Sequence, residues 1–383
     1  MRPAARAAIT AGAVILVAAI GLTIRSLNAF GVFTDVVPGF AGTCRAIPTA
    51  PGPEDIAIDE VSGLIFVSTL DRRAKARTGK PNPQDGLYVS SLKFPIVTVP
   101  GAKPNALTFD LTKTSDSTYI PLTKLAGTPS DFHPHGISLV RSPDGSLTLM
   151  AINHRNDGTS SVDIFDVALK ETMVSVNEEG SIQGGQLVSP NAIAALDRNR
   201  FYVTNDHTSA TQLGRTLDDD LVLPRANVLY FDGSVFHVVA SSLVFPSGAV
   251  LSPDDKYLYV TESYNRRLTT YERQPLSGAL DVVNTLDIPS NLDNLRQDAA
   301  GNLWIGSHPK AFDMAAYRGD ATKPAPSEIF KVTLANGIPQ GAALVYANLG
   351  GEIGASSVAA VTGHTMLIGS PFDAKILDCT MDH

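Results

Sequence analysis

The strongest pattern along the chain is a short, unbroken apolar run that recurs six times. It reads Gly63-Leu64-Ile65-Phe66-Val67-Ser68, Leu147-Thr148-Leu149-Met150-Ala151-Ile152 and Phe201-Tyr202-Val203-Thr204 in the first half. It returns as Tyr257-Leu258-Tyr259-Val260-Thr261, Leu303-Trp304-Ile305-Gly306 and Met366-Leu367-Ile368-Gly369. Runs this short, bounded by turn residues, predict strands. Several follow turn sequences such as Ser142-Pro143-Asp144-Gly145 and Ser252-Pro253-Asp254-Asp255. The copies stand roughly 45 to 85 residues apart, as propeller blades carrying loop insertions would. The expected fold is all-β: a six-bladed β-propeller over residues 31–383 behind an N-terminal hydrophobic anchor helix over residues 1–30.

That helix is signalled by an uncharged run from Ala7 to Ile24, between Arg6 and Arg25. Its eighteen residues would span about 27 Å as a helix, close to one bilayer core. No good small-x-small cleavage site follows in Ser26–Phe30. An uncleaved signal-anchor is therefore expected, holding the protein to a membrane with the propeller extracytoplasmic; a cleaved signal would make it secreted.

Composition narrows the function. Of 383 residues, 44% are hydrophobic and 18% charged, which excludes a disordered chain or a coiled coil. Thirty-one Gly and 25 Pro suit many short strands. The net charge of −8 argues against nucleic acid as a partner. Two cysteines are too few for a disulfide scaffold or a Cys-rich zinc site.

A propeller also predicts where chemistry collects. The innermost strand of each blade lines the central tunnel, so residues at one offset before each apolar run converge in space. About ten residues upstream stand Glu54-Asp55, His135, Asn191, Ser247, Asp293-Asn294 and Ser356-Ser357. Carboxylate, carboxamide and hydroxyl oxygens dominate this ring, a set suited to calcium rather than zinc. Glu54 and Asp293 would neutralise one divalent cation.

Several strings resemble the serum paraoxonase/arylesterase family, itself related to the gluconolactonase-like propellers. They are Pro53-Glu54-Asp55, Phe132-His133-Pro134-His135-Gly136-Ile137-Ser138, Asn153-His154, Tyr202-Val203-Thr204-Asn205-Asp206-His207, Leu292-Asp293-Asn294 and Ser307-His308-Pro309. The resemblance implies a propeller with calcium in its tunnel, a retained N-terminal hydrophobic segment, and esterase or lactonase activity on small molecules. It implies that Glu54, Asn191, Asp293 and Asn294 hold a catalytic calcium, with Ser247 where a further Asn is expected. Asp55 and the Ile137 carbonyl would serve a second, structural calcium, for which an Asp is expected where this chain has Ala192. His135 and His154 would be the catalytic histidine pair, and His308 would line the substrate pocket. The cysteines match too, Cys44 before the first blade and Cys379 after the last run, and a bond between them would close the ring.

The chemistry expected is attack of water on an ester or lactone carbonyl polarised by calcium. His135 would be the base and His154 its orienting or relaying partner; a carboxylate such as Asp293 is the other candidate for the base. His133 and His207 are expected to be structural hydrogen-bonders. No Gly-x-Ser-x-Gly elbow supports a serine hydrolase. The alternative function is a non-catalytic or strictosidine-synthase-like propeller that binds a small molecule. The basic segment Asp71–Lys80 is expected at the tunnel mouth, as a solvated loop or as an attractor of anionic groups, with His207–Arg225 forming another wall.

Overall fold

In the computed structural model of the chain, each of the six apolar runs is the second strand of an antiparallel sheet. The structure describes residues 3–80, 82–92, 96–97, 106–109, 122–125, 128–170 and 173–382. The second strands are Leu64–Thr69, Leu147–His154, Phe201–Asn205, Tyr257–Glu262, Leu303–Ser307 and Thr365–Gly369. Inside them lie the innermost strands Pro53–Asp59, Pro134–Arg141, Pro190–Ala195, Pro246–Leu251, Leu292–Gln297 and Val358–Thr362. We number the blades 1 to 6 in that order. Innermost strands touch their neighbours in chain order and the sixth meets the first, so the ring closes.

Burial explains why the second strands read as unbroken apolar runs. Each sheet is covered on both faces by the adjoining blades. Leu64 and Phe66 pack with Leu147 and Leu149 between blades 1 and 2. Ile65 and Val67 point the other way, toward Leu367 and Val358 of blade 6. The same division recurs at Met150 and Ile152 against Leu149 and Ala151, and at Trp304 against Leu303 and Ile305. A strand with two dry faces shows no alternation.

The last blade is completed by the beginning of the propeller. Gly42–Pro48 forms its outer strand by pairing with Lys375–Met381, and Cys44 lies directly opposite Cys379. These two residues form a disulfide that spans 335 positions. Two further residues, Gly39–Phe40, join the outer edge of blade 5. Blade 2 carries two extra outer strands, Ala106–Phe109 and Ile96–Val97.

The N-terminal helix runs Pro3–Ala29, and its end is seated on the propeller. Arg25 Nη2 donates to the Val222 carbonyl at 3.0 Å, and Asn291 Nδ2 donates to the Ala29 carbonyl at 2.7 Å. Val14, Ile15, Leu16 and Val17 are exposed. Among the described residues no helix is long and apolar enough to cross a membrane. Residues 7–12 of the expected anchor lie outside those whose side chains are described.

The basic segment is ordered differently from a solvated loop. Arg72–Thr78 is a helix, begun by Asp71, whose carboxylate accepts from the Ala74 amide at 2.8 Å, and ended by Gly79 at φ 66°. Arg73 turns inward, donates to the carbonyls of Tyr317 and Phe372, and stacks 4.3 Å from the Tyr317 ring centroid. The second wall segment likewise contains a helix, Gln212–Asp220.

Candidate active site at the head of the tunnel

The ring residues lie where the innermost strands begin, and β-bulges deliver them there. In blade 1 the register slips between Pro53 and Asp55, bracketing Glu54. Equivalent slips bracket Asn191 in blade 3, Ser247 in blade 4 and Asp293-Asn294 in blade 5. In blade 2 the pairs Ile137–Ala151 and Pro134–Asn153 leave His135 in the gap. A bulge leaves its residue out of the ladder and re-aims the side chain, here into the ring. Proline, with no N–H to waste, opens the innermost strands of blades 1 to 4. Glycine then lets the next blade close in: a Cβ at Gly136 would stand 2.3 Å from the Asn191 carbonyl oxygen, and one at Gly248 would stand 2.6 Å from that of Asp293.

The structure brings Glu54, His135 and His154 into one chain. Glu54 Oε1 lies 2.6 Å from His135 Nε2, His135 Nδ1 lies 2.8 Å from His154 Nε2, and His154 Nδ1 lies 3.3 Å from Ser160 Oγ. Proton positions follow from the ends. Ionised Glu54 only accepts, so His135 Nε2 carries a hydrogen and its Nδ1 accepts from His154 Nε2–H. His154 Nδ1 is then left to accept from Ser160. Burial and the neighbouring His135 hold His154 down to about 3, so it is neutral at pH 7. Burial raises Glu54, but Arg72 and His135 outweigh it and bring the carboxyl to about 2. Arg72 reaches Glu54 Oε2 directly from the short basic helix, a contact that the segment's charge alone did not indicate.

Across the ring, burial and the nearby Glu54 push the Asp293 carboxyl well up. His308 Nδ1 stands 3.7 Å from Asp293 Oδ2, and burial brings His308 down to about 4. Asn191 Nδ2 donates to Asp206 Oδ2 at 3.2 Å, while its Oδ1 is buried without a partner. The Asn294 side-chain nitrogen is also buried and unpartnered. Exchanging that amide's N and O would present a second orphaned acceptor. Two buried carboxylates and two unsatisfied carboxamides fit a hard cation. Ser247 is buried, with its hydroxyl donating to the Leu292 carbonyl at 2.9 Å. No cluster of three or more His, Cys, Asp or Glu placed to hold a metal occurs among the described residues.

Asp55 and the Ile137 carbonyl, expected at a second calcium, instead face the Arg296 guanidinium. Arg296 carried no such signal in sequence, because a cation 241 positions from its carboxylate leaves no local pattern.

His207 does bridge, as expected of a structural histidine. Its Nδ1 lies 2.8 Å from Asp206 and its Nε2 2.9 Å from Asp219, tying the Gln212–Asp220 helix to blade 3. Burial lowers His207, but the two carboxylates outweigh it and push it up to about 9. The folded value lies above the ordinary 6.5, so this tie contributes fully below pH 6.5 and is lost as pH rises through about 9. His207→Gln should therefore flatten the fall of melting temperature between those pH values; parallel curves for wild type and variant would refute the assignment. His133 faces Asp85 at 3.4 Å and Asp131 at 3.2 Å.

The family described as Arylesterase matches residues 76–381. The chain belongs to the arylesterase family. Among its arylesterase relatives, mouse (Mus musculus) serum paraoxonase/arylesterase 1 is 30% identical over 361 residues, covering 93% of this chain and 92% of the relative. Human (Homo sapiens) serum paraoxonase/arylesterase 2 is 29% identical over 320 residues, 83% of each chain. The solved structure of regucalcin, a calcium-binding protein from Agrobacterium tumefaciens, aligns at a TM-score of 0.46 and 12% identity, covering 91% of this chain and 97% of regucalcin.

Proposed function

We propose that this chain hydrolyses carboxylic esters, aryl esters or lactones, at the head of the tunnel in a calcium-dependent reaction. The observation that carries the reading is the unbroken Glu54–His135–His154–Ser160 chain, whose Glu54 heads its blade as Asn191 and Asn294, with buried and unpartnered amide atoms, head theirs. Membership of the arylesterase family supports it. A calcium ion held by Glu54, Asn191, Asp293 and Asn294 would supply Lewis-acid polarisation of the substrate carbonyl.

The protein's own part is proton handling. As base, His135 presents Nε2 to water in place of Glu54 Oε1. Its Nδ1 hydrogen then points to His154 Nε2, and the His154 Nδ1 hydrogen to Ser160 Oγ. The proton that His135 takes from water is returned to the departing alkoxide or phenoxide as the acyl–oxygen bond breaks, and neutral, buried His154 accepts the Nδ1 hydrogen bond that orients the ring for that exchange. His308 and Arg72 flank the reacting position and shape the pocket. The Cys44–Cys379 bond supports an extracytoplasmic location, where disulfides persist.

The test is hydrolysis of phenyl acetate and of several lactones by the purified chain, with and without chelator. Chelation should abolish turnover, and His135→Gln should lower kcat by about 10²–10⁴-fold. His154→Gln should lower it less and alter the pH profile. Turnover that survives both chelator and His135→Gln would reject the mechanism. Absence of hydrolysis on every ester and lactone would favour a binding propeller.

A further inference from the structure

Below the ring, the expected second calcium position does not fit an ion, because a side chain of this protein is already there. Arg296 projects from the innermost strand of blade 5, Leu292–Gln297, across the tunnel. Its Nη2 donates to Asp55 Oδ2 at 2.6 Å and to the Ile137 carbonyl at 2.9 Å. Its Nε donates to the Ile56 carbonyl at 2.7 Å, and its Nη1 lies 3.4 Å from its neighbour's Leu295 carbonyl. One carboxylate and two carbonyls from blades 1 and 2 thus converge on a guanidinium from blade 5. They are hard oxygen donors of the kind a calcium ion takes, all turned to one point.

We propose that Arg296 is a built-in cation that replaces the second calcium, so that the propeller's hub is held by its own side chain. Three features agree. Asp55 is 1% exposed, and the Ile56 and Ile137 amides donate to its two oxygens at 2.9 Å each, so the carboxylate is fixed before Arg296 meets it. Position 192, on the bulge beside Gly136, is alanine and supplies no further negative charge. One fixed positive charge therefore meets one carboxylate, whereas a divalent ion would leave an excess charge in a buried position. Arg296 also lines the cavity of about 210 Å³ beneath, with Ala57, Ser138, Val250 and Ala360, so the guanidinium stands between that space and the ring.

The role is structural. A planar fork with a fixed charge ties three blades at the axis and needs no ion from solution. The hub should then keep its strength when metal is withdrawn.

Calcium is counted by isothermal titration on the full chain, alongside melting temperatures in calcium and in chelator. Wild type should bind one ion per chain. Two ions per chain would overturn the inference. No bound ion would reject the calcium-dependent function proposed above while still agreeing with an arginine hub. Arg296→Met should lower the melting temperature by about 5–10 °C in calcium and chelator alike, since it strands the buried Asp55 carboxylate. An unchanged melting temperature would overturn it. Ala192→Asp alone should add no ion, because the guanidinium still fills the position; an added ion there would also overturn it. Ala192→Asp combined with Arg296→Gln should bind one ion more than wild type.

Discussion

Replacing Asp293 by alanine is expected to lower turnover of phenyl acetate by about 10²–10³-fold, the usual effect of removing one preorganised electrostatic group. Stability should respond in two directions. In wild type, Asp293 is buried beside Glu54, and burial and that neighbour push its carboxyl well up. A bound cation relieves this opposition, so calcium should raise the melting temperature of wild type. Asp293→Ala should lose most of that response. In chelator, however, the variant has one fewer crowded carboxylate and should melt no lower than wild type. Thermal melts of both proteins with and without calcium check this. An equal calcium response in wild type and Asp293→Ala would remove Asp293 from the metal site.

Opening the disulfide is expected to cost the fold about 2–5 kcal/mol. Cross-linking residues 335 positions apart restricts the unfolded chain strongly, and the entropy model gives roughly 5–6 kcal/mol as an upper value. The closure does not rest on sulfur alone. Seven cross-strand residue pairs join Gly42–Pro48 to Lys375–Met381, and Arg45 Nη2 donates to Asp378 Oδ2 at 2.6 Å. A Cys44→Ser, Cys379→Ser protein should therefore still fold, with an earlier urea midpoint. An unchanged midpoint would show that strand pairing alone holds the ring.

Ser247 makes the ring easier to interpret. Its hydroxyl is engaged with the Leu292 carbonyl of the next blade, so Ser247→Asn would exchange an inter-blade tie for a longer donor. The position lies on a bulge like the other ring residues, which makes it part of the same local geometry whatever it binds.

Sequence by itself determined the six blades and the positions that head them. The reason is burial: Leu64–Thr69 and its counterparts are dry on both faces, so each reads as a short apolar run between turn residues. Once those runs are placed, the offset of about ten residues to Glu54, His135, Asn191 and Asp293 follows from strand length and turn alone. Outer strands such as Leu280–Asp287 face solvent and carry no comparable run. Tertiary structure alone decided what the heads of the strands do. Bulges set which way Glu54 and Asn191 point, and a bulge is a property of two paired strands. Arg72 reaching Glu54 and His154 meeting His135 are set by neighbouring segments of one blade, whereas Arg296 filling the hub depends on blades whose separation along the chain leaves no periodic trace. Local hydrophobic pattern records what a residue is buried against; the partner of a buried charge such as Asp55 is recorded only where distant blades meet at the axis.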